Sequence, residues 1–190
     1  MEDRIVTGIA FAKTGPENTE KVLELVKKRA EELGIGTIVV ASTKGEVGLR
    51  ATKELAGRRV IVVTHSTGFA RPGYQELTGE RRTEIERAGG VVLTCQHAFG
   101  GIGRAVRKKL NTYQVEEIIA YTLRIFGEGL KVACEIVLMA ADAGLVSTDD
   151  DVIAVGGTAR GADTAIVVKP ANVHSFFDMR VQEIICKPRY

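Results

Sequence analysis

From residue 19 to about residue 95, segments with helical spacing of apolar residues alternate with short runs of β-branched residues. A chain with that alternation is best accommodated as a parallel sheet whose crossover helices cover both faces. Thr19 reads as a helix N-cap, Val22, Leu25, Val26, Ala30 and Leu33 follow at helical spacing, and Gly34 stops the helix. Thr37 to Ala41 and Val60 to Thr64 read as strands, with a helix from Gly45 to Ala56 between them. Turn signals run from His65 to Thr78, then a helix is expected over Gly79 to Ala88 and a strand over Val91 to Thr94. An earlier apolar run, Ile5 to Phe11, also reads as a strand. Beyond residue 100, Arg104 to Leu110 and Val115 to Phe126 are expected to be helical. Gly129 to Ala143 is apolar nearly all round, which predicts a buried helix. The runs Val152 to Val155, Ala165 to Val168 and Val181 to Lys187 follow without a helix between them, so the sheet is expected to end in an antiparallel hairpin.

The chain has 190 residues with no repeat, linker or low-complexity stretch, and a single domain over residues 1–190 is expected. It is 45% hydrophobic and 26% charged, as in ordinary globular proteins. A net charge of only +2 gives no reason to expect nucleic acid as a partner. Cys95, Cys134 and Cys186 are odd in number and form no CxxC, which points to reduced thiols in the cytoplasm and not to disulfides or zinc. The charged start Met1-Glu2-Asp3-Arg4 does not begin a signal peptide. The longest apolar stretch, Val132 to Gly144, contains Glu135 and Asp142 and is too short to span a bilayer, so no membrane partner is expected.

Ligands of open α/β sheets bind beyond the carboxyl ends of the strands. Here those ends are small or polar: Ser42-Thr43-Lys44-Gly45, Thr64-His65-Ser66-Thr67-Gly68, Thr94-Cys95-Gln96-His97 and Gly156-Gly157-Thr158. The segment Gly156-Gly157-Thr158-Ala159-Arg160-Gly161, continued by Asp163 and Thr164, has the glycines for a backbone anion nest, a guanidinium and two hydroxyls. Its alternative is a plain glycine turn between strands. Ala162-Asp163 follows where a Walker A loop carries Lys and Ser or Thr, so triphosphate hydrolysis is not expected. Ser42 to Gly45 opens a helix whose N-terminus suits a phosphate, although the same residues also make an ordinary cap. Gly101-Ile102-Gly103-Arg104-Ala105-Val106 approaches the dinucleotide fingerprint, but Val106 replaces the last glycine, the run comes late in the chain, and no clear strand with an acidic end follows it. Arg104, Arg107, Lys108 and Lys109 read as a solvated helix face.

His65 and His97 are candidate acid/base groups, with local strand capping as the alternative. His174 reads as structural. Glu135 stands alone in an apolar helix, so it needs either an ion-pair partner or a functional reason. No serine-protease order, HExxH or other catalytic signature occurs, and no metal site is expected.

Val39-Val40-Ala41-Ser42-Thr43-Lys44-Gly45 and Gly156 to Thr164 resemble the two phosphate loops of the C-terminal domain of pyruvate kinase. Nearly the whole chain is similar to stand-alone archaeal proteins built like that domain. The agreement includes Gly15 to Thr19, Val63-Thr64-His65, Gly68-Phe69, Pro72 to Glu76 and Phe176-Phe177-Asp178. The resemblance implies a three-layer α/β/α sandwich with a mostly parallel five-stranded sheet whose last strand is antiparallel. It implies no pyruvate kinase activity, because the catalytic barrel does not fit in this chain. Flavin mononucleotide (FMN) is the cofactor it suggests, with the phosphate on the glycine loops and the ring system among Thr64, His65, Phe69 and His97. A flavin-dependent oxidoreductase is one outcome. A non-catalytic sensor of a sugar phosphate is another, and an assembly module forming homo-oligomers is a third. In the first loop Val47 stands where the family usually has a hydroxyl, which shifts weight to the second loop.

Overall fold

The protein is described from a computed structural model covering residues 6–189; Met1 to Arg4 and the expected strand residue Ile5 lie outside the described residues. In chain order the elements are β1 (Ile9–Phe11), α1 (Thr19–Leu33), β2 (Thr37–Ala41), α2 (Glu46–Glu54), β3 (Arg59–Val63), α3 (Gly79–Arg87) and β4 (Val91–Leu93). They continue with α4 (Ile102–Leu110), α5 (Val115–Arg124), α6 (Glu128–Asp142), β5 (Val152–Gly156), β6 (Thr164–Lys169) and β7 (Arg180–Pro188). All strands join one sheet in the order β1-β7-β6-β5-β2-β3-β4.

The α/β sandwich and its mostly parallel mixed sheet are as expected; the sheet is larger, with seven strands instead of five. The added breadth comes from β7 and β1, which extend the sheet past the hairpin formed by β5 and β6. The antiparallel strand is β6, the last but one in the chain. The short turn from Gly157 to Asp163 reverses the chain into β6, and the residues before Arg180 reverse it again into β7.

Alternation of side chains along β2, β3, β5 and β6 builds two cores. Ile38, Val40, Val60, Val62, Ile153, Val155, Ala165 and Val167 pack against α1, α2 and α3 through Val22, Leu23, Val26, Leu55 and Ile85. Val39, Ile61, Val63, Ala154, Ile166 and Val168 face the other way, against α6. Each fully buried Leu or Ile contributes about 1.5–3 kcal/mol of transfer free energy. α6 is buried along almost its whole length, including Lys131 and Glu135, because α5 covers the side that the sheet does not.

Two local readings change. The cap of α1 is Asn18, after a short 3-10 turn at Pro16–Asn18, and Thr19 sits inside the first turn. Thr19 Oγ1 instead accepts the Ala162 N–H at 3.0 Å, which ties α1 to the glycine loop. Leu23 joins the buried face of α1, and Leu25 packs against that core half-buried.

The three cysteines are free thiols. Burial pushes Cys134 and Cys186 up to about 12, and it also raises half-buried Cys95. Under native conditions alkylation by iodoacetamide is therefore expected at Cys95 first. Cys134 and Cys186 should react only after denaturant is added, as peptide mass spectrometry would show. Among the described residues no helix is long and apolar enough to cross a membrane.

Candidate ligand-binding site

The carboxyl ends of β2, β3 and β5 open onto one cavity of about 530 Å³. Its size falls within the range of small-molecule sites. Of the residues expected to hold a ligand, Ser42, Thr43 and Lys44 line it from the β2 side, and Thr64, His65 and Phe69 from the β3 side. His97, Gly157, Arg160, Gly161 and Glu135 also line it. Gly45, Gly156, Thr158, Asp163 and Thr164 do not.

The residues outside the lining shape the loops. Asp163 is fully buried; its Oδ2 accepts the Thr158 N–H at 3.1 Å, and its Oδ1 accepts the Thr164 hydroxyl at 2.8 Å. Asp163 N–H returns to the Gly156 carbonyl at 3.1 Å, closing the turn. Gly161 has φ 72°, and a Cβ there would collide with Pro16. Gly156 lies under α6, where a Cβ would collide with the Gly129 carbonyl oxygen. Gly45, at φ 87°, caps α2.

Both loops present uncommitted donors. Ser42 Oγ accepts the Gly48 N–H at 3.0 Å, so this hydroxyl is a helix-capping acceptor six residues upstream. Among the described residues the N–H groups of Lys44, Gly45, Glu46 and Val47 have no hydrogen-bond partner, and neither have those of Ala159 and Gly161. Ala159 sits at φ 64°, a left-handed conformation uncommon for alanine. A run of this kind turns successive N–H groups toward one point.

The cavity's charges sort into pairs and a remainder. Glu128 pairs with Arg124, Glu135 with Lys131 at 2.6 Å, and Glu76 with His65 at 2.8 Å. Lys44, Arg104 and Arg160 have no carboxylate within ion-pair distance among the described residues, and among the cavity's carboxylates only Glu46 is likewise without a basic partner. Arg104 Nε is buried without a hydrogen-bond partner, and its guanidinium lies 4.8 Å from the Phe69 ring centroid. The excess of unpaired positive charge suits an anion.

His65, Phe69 and His97 form an aromatic wall, with centroids 4.0 Å apart for His65 and Phe69 and 4.8 Å for Phe69 and His97. The two histidines differ in their commitments. His97 Nε2 accepts the Ser66 N–H at 3.4 Å, so its proton is on Nδ1, which lies 3.5 Å from Glu135 Oε1. Both His97 nitrogens are thereby engaged. His65 Nδ1 meets Glu76 Oε2 at 2.8 Å, and its Nε2 lies 3.3 Å from Thr43 Oγ1.

Glu135 has found its partners. Burial pushes its carboxyl up, but the His97 hydrogen bond and the Lys131 ammonium outweigh burial and hold it at about 2. Its Oε1 also accepts the Phe99 N–H at 3.0 Å. Among the described residues no group of three or more His, Cys, Asp or Glu is placed to hold a metal ion. His174 is exposed and away from the cavity.

Four contributors were not singled out from the sequence. Lys131 lies one helical turn before Glu135, a spacing that could have signalled it. Arg104 was read as a solvated face, and Glu76 and Glu46 carried no local signal.

The family model described as "Pyruvate kinase, alpha/beta domain" matches residues 20–168. Solved structures that resemble the chain include a Cryptosporidium parvum pyruvate kinase, at 15% identity and TM-score 0.41, with 80% of this chain and 22% of that one covered. A Cryptosporidium parvum pyruvate kinase in complex with ADP matches at 16% identity and TM-score 0.43, over 80% and 24%. An O-ureido-L-serine synthase matches at 23% identity and TM-score 0.31, over 50% of this chain and 30% of that one. The chain thus spans about a quarter of the length of the pyruvate kinases it matches.

Proposed function

The chain belongs to the pyruvate kinase alpha/beta domain family, and on that premise we propose that it binds a phosphate-bearing small molecule in the cavity at the carboxyl edge of the sheet, FMN foremost. One observation carries this reading. Two loops with uncommitted N–H groups, Ser42–Val47 and Gly157–Gly161, meet at a cavity that also holds the unpaired cations Lys44, Arg104 and Arg160. Backbone donors and a helix N-terminus take up phosphate oxygens without desolvating a carboxylate. The missing hydroxyl at Val47 matters less in this geometry, because the N–H of residue 47 remains available. The wall of His65, Phe69 and His97 offers a flat face for a ring system.

Titration with FMN, followed by quenching of flavin fluorescence and a shift of the visible bands, tests this. Arg160→Ala is expected to weaken binding about 10- to 100-fold, the scale of one charge-assisted hydrogen bond. Unchanged fluorescence at several hundred micromolar protein would exclude the flavin. The hydroxyls of Ser42, Thr43 and Thr64 and the carboxylates of Glu46 and Glu76 in the same wall favour a second reading, a sugar phosphate bound for sensing. Thermal stabilisation by sugar phosphates but not by FMN would select it.

A further inference from the structure

The sequence carries no recognisable catalytic signature, yet the fold assembles one from three separate segments. Thr43 lies in the turn between β2 and α2, His65 two residues after β3, and Glu76 eleven residues later in the loop before α3. Glu76 Oε2 is 2.8 Å from His65 Nδ1, and His65 Nε2 is 3.3 Å from Thr43 Oγ1. Hydroxyl, imidazole and carboxylate thus stand in line, with the base oriented by a third group, as activated nucleophiles require. All three residues line the cavity. His65 and Glu76 are sheltered, with side chains 31% and 17% exposed. Thr43 itself is half-buried. The next N–H groups, at Lys44 and Gly45, have no partner among the described residues and can receive an oxyanion.

We propose that Thr43, His65 and Glu76 form an acyl-transfer site that hydrolyses a carboxylic ester or thioester whose leaving half bears a phosphate. The anchoring of that phosphate rests on the anion-binding reading above; the triad does not. Thr43 Oγ1 attacks the acyl carbonyl, and its proton passes to His65 Nε2. The bond to the leaving oxygen or sulfur breaks, and that atom takes the proton from His65. A water molecule then attacks acyl-Thr43 and gives a proton to His65. The Thr43–acyl bond breaks, Thr43 recovers the proton, and a carboxylic acid departs. Glu76 is a positioning residue: it fixes the His65 tautomer and offsets the charge of the imidazolium.

The probe is p-nitrophenyl acetate, read as p-nitrophenolate release and as acetyl-protein by peptide mass spectrometry after acid quench. The expected result is acetyl on Thr43 and a turnover that falls at least 100-fold in Thr43→Val and in His65→Asn. Melting temperatures of Thr43→Val and His65→Asn that match the wild type control for folding. Glu76→Gln should lower kcat with KM unchanged, because the imidazole loses the group that orients it, and Glu76→Asp should restore part of the lost kcat. Release that is unchanged in Thr43→Val, or acetyl found on Lys44 instead of Thr43, overturns the proposal. Inorganic phosphate separates the two readings. Acyl transfer that phosphate neither inhibits nor accompanies with thermal stabilisation removes only the anion anchor. Phosphate stabilisation without acyl transfer removes only the triad.

Discussion

Glu135→Ala is expected to destabilise the fold by about 3–5 kcal/mol, the range for removing one member of a buried ion pair. The carboxylate is 3% exposed and holds Lys131 Nζ at 2.6 Å and the Phe99 N–H at 3.0 Å. Without it the buried Lys131 ammonium and the Phe99 N–H lose this acceptor. The loss should appear in thermal melting as a drop of roughly 6–20 °C, at about 2–4 °C per kcal/mol for a domain of this size. The double variant Lys131→Met with Glu135→Leu removes both charges and should recover most of the loss. If the single variant melts with the wild type, the pair is not holding α6 in place.

The same carboxylate sets an acid limit. Its folded value, about 2, lies below the ordinary 4.5. A depressed acid contributes stability that is fully present above the unfolded value and is lost as pH falls through the folded one. The window is therefore about pH 4.5 down to about 2, and two and a half units correspond to roughly 3 kcal/mol. Acid titration of the melting temperature should show a steeper decline across that window in the wild type than in the Lys131→Met, Glu135→Leu double variant.

Asp163→Ala should be the second most damaging change, at about 2–4 kcal/mol, because it leaves the Thr158 N–H and the Thr164 hydroxyl without their acceptor inside the fold. The expected signature differs from that of Glu135. The turn from Gly157 to Gly161 should loosen, so phosphate and FMN binding should weaken even at temperatures where the domain stays folded. Asp163→Asn keeps the shape and one acceptor oxygen, and should fall between wild type and Asp163→Ala in both melting and affinity. Full ligand affinity in folded Asp163→Ala would show that Asp163 does not shape the loop.

Much of the fold was legible because local signals agreed with each other. β2 was read to its observed bounds, and Gly34 stops α1 at φ 68°, as a left-handed cap requires. The buried character of α6 followed from its all-round apolar surface. What was missed depends on distant pairing. Nothing local indicates that Thr19 serves Ala162, or that β1 pairs with β7. The candidate cavity was legible as a convergence of strand ends. Its charge balance was not, because a Lys in the first turn of a helix and a Glu in a turn-rich loop both read as solvent-facing. Lys131 becomes buried only when α5 closes over α6, and Glu76 reaches His65 only through the loop that precedes α3.

The place of β1 has a consequence for the order in which the sheet can close. Its strand partner is β7, with Ile9 beside Cys186 and Phe11 beside Pro188. Ribosomal synthesis delivers β1 long before β7. The parallel group β2, β3, β4 and β5 can pair as soon as residue 156 has emerged, while β1 stays without its neighbour until β7 is complete. Such long-range closure is slow to form. The β1 side of the nascent sheet therefore stays open until β7 has emerged and pairs with both β1 and β6.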